Sequence, residues 1–198
     1  MQTIAMTEIS IALNGTTLPP GYPFALWEAL VRHQPRLAES SAVGIVPLRT
    51  AANEGKLLLS KRTRLLIRLP EEMADAVAAL NGKMLEIDGH RLQLGSVEVR
   101  GLQPYPTLHA PLVSGGADEI TFMRGIRASL DAMAIGAGLI CGKRVTLKSA
   151  AREISGYSLV VHDLKPEESL RLQGNGLGAE KCFGCGVFLP YKAITSLE

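Results

Sequence analysis

Four histidines supply the groups in this sequence that are best suited to move protons, since histidine ordinarily titrates close to neutral pH. His33 continues the apolar stripe of Leu26 and Leu30 at the end of a predicted helix. The pattern therefore leaves open whether His33 is reactive or partly buried. His109 alternates with the apolar residues of the predicted strand TLHAPL. We therefore expect it to point away from the hydrophobic core, where it could face the cleft between the lobes. The other two are interpreted as an exposed turn residue and a structural strand-end residue, His90 and His162.

A glycine-rich segment, GNGLGAEKCFGCGVFLP at 174–190, has the most specific spacing in the chain. It holds Gly176 and Gly178, then Lys181, then Gly184 and Gly186. Glycine permits positive φ and a close approach of backbone, so paired glycines around a lysine can hold phosphates. The alternative is a tight turn that packs against a neighbouring strand. The segment fits neither a dinucleotide fingerprint nor a P-loop, because it follows a predicted helix and opens into a strand. A nucleotide-binding enzyme is thus the weaker alternative.

Cationic side chains form a local cluster in the second half of the chain, although the net charge is only +2. No acidic residue interrupts the stretch from Lys143 to Arg152. A local patch of this kind, rather than the total charge, is what a polyanion meets. The candidates for binding nucleic-acid phosphates are Arg124 and Arg127 on one predicted helix face, and Lys143, Arg144, Lys148 and Arg152 on a predicted hairpin.

The elements that must position these residues follow one order twice. In the first half we predict strands over 3–13, 42–50 and 56–70, helices over 24–37 and 70–82, and a hairpin that turns at Asp88–Gly89. Pro35 is expected to end the first helix early. In the second half we predict a strand over 106–115, a helix, two strands, a short helix, and a final strand over 182–190. The fold class is therefore α+β, with two tandem ferredoxin-like β-α-β-β-α-β lobes at 1–103 and 104–198 and an extra strand in the first.

The glycine-rich segment resembles the signature loop of the CRISPR-associated repeat-RNA endoribonucleases, within the superfamily of repeat-associated RNA-binding proteins. The likeness extends through GYPFALWEAL, VGIVPLRT, LLLSKRTRLLIRLP and GKMLEIDGHRLQLG to EESLRLQGNGLGAEKCFGCGVFLP. It implies a protein that binds the stem-loop of precursor CRISPR RNA and cuts at its base without a metal. The ribose 2′-hydroxyl attacks the phosphate and leaves a 5′-hydroxyl and a 2′,3′-cyclic phosphate. Other subunits of a CRISPR effector complex are the implied protein partners.

The resemblance also suggests site residues. Family catalytic histidines lie near the end of the first helix, which favours His33 as the base, with His109 as a second candidate. Tyr22, in the family-like Gly-Tyr pair, is a third candidate, although packing is the stronger interpretation. Many relatives carry a histidine just before the Gly-Tyr pair or shortly after the first helix. This chain has Pro19 and Pro20 at the first place, and residues 38–41 at the second contain no histidine. Either His33 has taken over as base, or cleavage is weak or lost and the protein is a binding subunit. Lys181 and the four glycines would position the RNA backbone.

We expect no cofactor and no metal site. Cys182 and Cys185 form the only close pair among three cysteines, whereas zinc prefers about four ligands. An odd, small number of cysteines suits a reducing compartment. The start of the chain lacks the pattern of a signal peptide, and no apolar run reaches the ~18 residues of a membrane helix. The sequence therefore predicts a cytoplasmic protein with no membrane partner.

Overall fold

The computed structural model of the protein describes residues 5–191, which contain twelve strands and four helices. The strands are β1 (Met6–Asn14), β2 (Thr17–Leu18), β3 (Gly44–Ile45), β4 (Thr50–Asn53), β5 (Lys56–Leu59), β6 (Arg64–Pro70), β7 (Met84–Ile87), β8 (His90–Arg100), β9 (Leu108–Ser114), β10 (Gly138–Lys148), β11 (Glu153–His162) and β12 (Leu189–Pro190). The helices are α1 (Tyr22–His33), α2 (Ala74–Ala78), α3 (Glu119–Ala132) and α4 (Pro166–Asn175). Short 3-10 turns cover Pro35–Glu39, Glu71–Met73 and Lys181–Phe183.

The first sheet has the antiparallel order β3-β6-β1-β8-β7. Ile9 and Ile11 of β1 face Ile67 and Leu65 of β6 in register, and all four are fully buried beneath α1 and α2. Because side chains alternate along a strand, the intervening residues form a second, polar face of the sheet, opposite the face that α1 and α2 cover. Without β7 the order is that of a β-α-β-β-α-β unit, so the predicted extra strand is confirmed.

The second sheet has the order β10-β11-β9-β12, and its core includes Leu108, Ala110 and Leu159 together with α3 and α4 residues such as Phe122 and Leu172. This is a second β-α-β-β-α-β unit, which confirms the α+β class with two ferredoxin-like lobes. The elements of the first unit end at Arg100, and those of the second begin at Leu108.

Several predicted elements are shorter than expected. Pro35 ends the first helix at His33, as predicted. The strand predicted over 42–50 is confined to β3, and the strand predicted over 56–70 is split. The split lies at the turn from Ser60 to Thr63, where the Thr63 N–H donates to the Ser60 carbonyl over 2.9 Å. The resulting β4–β5 hairpin joins β2 in a small third sheet. The helix predicted over 70–82 consists of a 3-10 turn and the single turn of α2.

The final strand predicted over 182–190 is wrong except at Leu189–Pro190. Gly184 and Gly186 have φ values of 83° and 67°, which an extended strand cannot accommodate. A strand is therefore impossible until the chain has passed the second glycine. The consequence is a compact loop between α4 and β12 instead of a long edge strand.

Candidate nucleic-acid interface

His33 lies at the carboxyl end of α1 and is exposed to solvent. Its Nε2 is 3.1 Å from the carbonyl oxygen of Met84 on β7. A carbonyl oxygen only accepts, so Nε2 carries the proton in this hydrogen bond, and Nδ1 of the neutral ring is free to accept one. The buried stripe of α1 continues through Leu26 and Leu30, but His33 does not belong to it.

The amino end of α1, by contrast, packs on the glycine-rich segment. The rings of Phe24 and Phe183 have centroids 4.9 Å apart. His33 is nine residues farther along the helix, which corresponds to about 14 Å at 1.5 Å per residue. The structure therefore does not bring His33 next to the glycine-rich segment.

His109 is half-buried on β9, on the face of the second sheet that α3 and α4 leave uncovered. Its ring centroid is 5.6 Å from that of Tyr191. Burial lowers the pKa of His109, because desolvation disfavours the charged ring. The expected orientation away from the core is confirmed, but His109 and His33 lie on different lobes.

Tyr22 is buried at the start of α1, and its hydroxyl oxygen accepts a hydrogen bond of 2.8 Å from the backbone N–H of Leu48. Burial raises the pKa of Tyr22 to about 12. This hydrogen bond fixes the loop after β3, residues 46–48, against α1. The burial and this bond favour the packing role that was the stronger interpretation.

The four motif glycines, Gly176, Gly178, Gly184 and Gly186, all have positive φ. A Cβ on Gly186 would lie 1.7 Å from the Leu177 carbonyl oxygen, and one on Gly176 would lie 2.6 Å from the Gly186 carbonyl oxygen. The Gly186 N–H donates to Leu112 of β9 over 2.7 Å. The segment thus packs on itself and on β9, and Gly178 is the exposed member of the four. A contact of these glycines with RNA stays a prediction.

Lys181 lies inside this loop and is about half-buried. Its ammonium group donates to the Asn175 carbonyl oxygen over 2.9 Å, and burial lowers the pKa of Lys181. Part of its bonding capacity is therefore used within the loop. An ammonium group has three donors, so two remain for a phosphate.

The predicted cations of α3 are exposed and share one helix face. Arg127 donates to the Ala137 carbonyl oxygen over 3.0 Å, whereas Arg124 projects one turn earlier. Of the cations on β10, Lys143 is exposed, and Arg144 donates to the Ala117 carbonyl oxygen over 3.1 Å. Arg144 therefore also helps to hold the loop that leads into α3.

The other two hairpin cations lie where the β10–β11 turn meets the glycine-rich segment. The guanidinium carbon of Arg152 is 4.7 Å from the Phe183 ring centroid, and its NH2 is 4.0 Å from the Glu180 carboxylate. A Cβ on Gly21 would lie 2.9 Å from the Lys148 carbonyl oxygen, which shows how closely the turn approaches the start of α1. The structure thus brings Arg152 onto the glycine-rich loop, while Lys148 lies beside the start of α1 and pairs with Glu153 at 3.4 Å.

An arginine-rich cleft that was not predicted from the sequence lies between the lobes. The cleft has a volume of about 630 Å³, and one wall is the polar face of the first sheet. Its cationic lining consists of Arg49, Arg62, Arg64, Arg68 and Arg100, with Glu8 as the acidic member. The signal was present in the sequence. Arg64 and Arg68 stand at even positions beside the odd-numbered core residues of β6, so they project from the opposite face, and Arg62 lies in the turn just before that strand.

These arginines differ in whether their guanidinium groups are already bonded within the protein. Arg68 is almost completely buried and bonds Glu8 at 2.9 Å and the Phe188 carbonyl oxygen, which ties the first sheet to the second lobe. Arg49 and Arg62 are exposed, and neither forms an ion pair with any of residues 5–191. The cleft therefore offers free cations at its mouth and a fixed one at its floor.

No group of three or more His, Cys, Asp and Glu side chains within residues 5–191 is placed to hold a metal ion. Burial raises the pKa of the Cys185 thiol to about 12 and also raises that of Cys182. Protonated thiols are poor zinc ligands. Across the same part of the chain, no helix is long and apolar enough to cross a membrane.

Comparison with known proteins links this geometry to one family. A family model described as Cas6 Crispr matches residues 7–193. The CRISPR-associated endonuclease Cas6 of Myxococcus xanthus (strain DK1622) is 33% identical over 189 residues, which are 94% of this chain and 82% of that protein.

Solved structures share the fold at lower identity. One, described as the characterization of a Cas6-related gene from Pyrococcus furiosus, has a TM-score of 0.65 at 16% identity and covers 98% of this chain and 100% of its own. Another, a RAMP protein binding different RNA substrates, has a TM-score of 0.65 at 16% identity over 94% of this chain and 100% of its own. The CRISPR endoribonuclease Cse3 bound to 19 nt RNA has a TM-score of 0.51 at 11% identity, with 93% and 98% covered.

Proposed function

Since this chain belongs to the Cas6 family, we propose that it matures CRISPR RNA by binding the repeat stem-loop of the precursor and cutting at its base. The observation that carries the proposal is the 33% identity to a CRISPR-associated endonuclease over nearly the whole chain. The protein acts in the cytoplasm and passes its product to other subunits of a CRISPR effector complex.

The proposed reaction uses no metal, because the nucleophile belongs to the substrate. The 2′-oxygen next to the scissile bond attacks phosphorus, the bond from phosphorus to the 5′-oxygen breaks, and a 2′,3′-cyclic phosphate and a 5′-hydroxyl result. One group removes the proton of the 2′-hydroxyl, another protonates the leaving oxygen, and a cation stabilises the phosphorane. Histidine and lysine or arginine suit these roles.

His33 is the base in this proposal. Its free Nδ1 and its exposure allow the 2′-hydroxyl to reach it, and the Met84 carbonyl holds the ring in one tautomer. His109 remains the second candidate. The buried position of Tyr22 suits a packing role, in which it holds the loop after β3, better than a catalytic one.

The RNA is held by both lobes, 1–103 and 104–198. Arg152 and Lys181 lie at the glycine-rich loop, Lys148 lies on the β10–β11 hairpin, and Lys143 and Arg124 lie exposed elsewhere on the second lobe. Phosphate contacts by these cations release counterions, so the affinity for RNA falls as salt rises.

Cleavage in the absence of divalent ions tests the proposal. Labelled repeat RNA incubated with the protein in EDTA should yield two fragments, and the upstream fragment should carry a cyclic phosphate. Product analysis on a denaturing gel, with acid treatment to open the cyclic phosphate, checks both statements. Cleavage that requires Mg²⁺, or a product with a 3′-hydroxyl, would contradict the mechanism.

A binding subunit without cleavage is the second candidate. The observation that favours it is the distance of about 14 Å along α1 between His33 and the helix end that packs on the glycine-rich loop. This candidate predicts tight binding of the repeat stem-loop without product in any buffer.

Removal of the charges on β10 should weaken RNA binding. With Lys143→Ala and Arg144→Ala combined, we expect lower affinity and a slope of log K against log salt that is smaller by up to about 1.8, the value for two duplex phosphate contacts. A gel-shift assay over a salt series measures this. The matched control combines Lys83→Ala, just before β7, with Arg91→Ala on β8, and an equal effect of the two pairs would show only a general charge effect. Unchanged affinity of the Lys143 and Arg144 variant would show that β10 faces away from the RNA.

A further inference from the structure

Two arginines of the interlobe cleft already hold an anion that belongs to the protein. The carboxylate of Glu98 on β8 lies 3.3 Å from NH2 of Arg64 and 2.8 Å from NH2 of Arg100. These arginines come from different strands, β6 and β8, which flank β1. One carboxylate therefore bridges two guanidinium groups on the polar face of the first sheet.

A phosphate group suits this position as well as the carboxylate does. Guanidinium groups bind carboxylate and phosphate oxygens with the same planar geometry. All three side chains are partly exposed, so the ion pairs compete with solvent and can exchange. Glu8 differs, because it holds an arginine that is buried and that also bonds the second lobe.

An unpaired strand fits the rest of the cleft better than a duplex does. Tyr105 lines the cleft and is 40% exposed, so its ring is available for stacking. A base in a duplex cannot make that contact, whereas an unpaired base can. Arg62, in the turn before β6, and Arg64, at the start of β6, both line the cleft, so both are available to the phosphates of such a strand.

We propose that the cleft binds an unpaired segment of the RNA, and that Glu98 occupies the place of one of its phosphates until the RNA arrives. This inference rests on the proposed function and adds a second, single-stranded contact to it. Arg49 and Arg62, which are unpaired within residues 5–191, meet the strand first. Displacement of Glu98 from Arg64 and Arg100 follows. Glu98 thus sets the affinity of the cleft by competing with the ligand.

The test is a gain of affinity. Glu98→Gln keeps the shape of the side chain and removes its charge, so both arginines become available. The probe is labelled oligouridylate of about ten nucleotides, which forms no stem and falls within the usual range of single-strand sites. We expect binding about two- to tenfold tighter than that of the unaltered protein, the range for one or two exposed ion pairs that no longer compete. The salt slope should steepen by up to about 1.4, the value for two single-strand contacts.

The matched control is Glu86→Gln. Glu86 also pairs with an arginine in the first sheet, at 3.3 Å, but Arg91 lies outside the cleft. Both variants change the net charge equally, so a general charge effect would appear in both. A second variant, Arg49→Ala with Arg62→Ala, should weaken oligouridylate binding and leave its folding unchanged.

Each outcome separates the two proposals. Equal affinity of Glu98→Gln and Glu86→Gln, with both proteins folded, would overturn the role of Glu98. Unaltered binding by the Arg49 and Arg62 variant would overturn the cleft as a single-strand site. In both cases, cleavage of the repeat stem-loop in EDTA would still support the proposed function, which fails if the unaltered protein does not cut that RNA.

Discussion

Replacement of His33 by alanine is expected to lower the rate of repeat-RNA cleavage about 100- to 10,000-fold, the usual contribution of a general base. The 2′-hydroxyl loses its proton acceptor, while the cations that hold the phosphates are unchanged. The affinity for uncleaved RNA should therefore stay close to that of the unaltered protein. Single-turnover kinetics measures the rate, and a gel-shift assay with RNA that lacks the reactive 2′-hydroxyl measures the affinity.

His109→Ala and His162→Ala are the comparisons for this experiment. His162 is bonded to Asp163 at a strand end and serves as the control that should cut normally. If cleavage is lost in His109→Ala and kept in His33→Ala, the base is His109 and the assignment of His33 is wrong. If all three variants cut at the normal rate, no histidine of this set is the base.

Replacement of Arg68 by alanine should lower the free energy of unfolding by about 3–5 kcal/mol. The Arg68 side chain is 4% exposed and bonds Glu8 as well as the Phe188 carbonyl oxygen of the other lobe. The substitution leaves Glu8 without its partner and removes a donor from buried carbonyl oxygens. Burial lowers the pKa of Arg68, whereas the charge of Glu8 and its hydrogen bond raise it. Glu8 therefore stabilises the charged form of the buried guanidinium group.

Urea denaturation followed by circular dichroism measures this loss. The control is Arg91→Ala, because Arg91 pairs with Glu86 at 3.3 Å but both side chains are well exposed. An exposed pair contributes about 0–1 kcal/mol, so the control should unfold almost like the unaltered protein. Similar midpoints for the two variants would mean that the lobes are held together by other contacts.

The fold class could be predicted from the sequence because it depends on local patterns. Each of these patterns involves only a few neighbouring residues. Examples are the alternation around Leu65 and Ile67, the turn at Asp88–Gly89 and the end of the first helix before Pro35. The predicted last strand failed for the opposite reason. The φ values of Gly184 and Gly186 depend on how the loop packs against Leu177 and β9, which lie outside the segment.

The site was predictable only in its residue types. The cations of the β10–β11 hairpin and the glycine pairs could be found because they stand close together in the chain. The cleft could not, since Arg49 comes from the loop after β3, Arg64 from β6 and Arg100 from β8, and they meet only when the sheets are assembled. The even-numbered arginines of β6 were visible beside the core residues, but their pattern does not show what covers that face.

The sequence by itself determined the two α+β lobes, the glycine-rich loop and the resemblance to one RNA-processing family, because periodicity and spacing are properties of a single strand, helix or turn. Only the tertiary structure decided that His33 lies far along α1 from that loop, that Arg68 joins the lobes, and that Glu98 bridges two arginines of the cleft. Those arrangements depend on distances between residues that are remote in the chain. Such distances are set by how sheets and helices pack, and no local pattern encodes them.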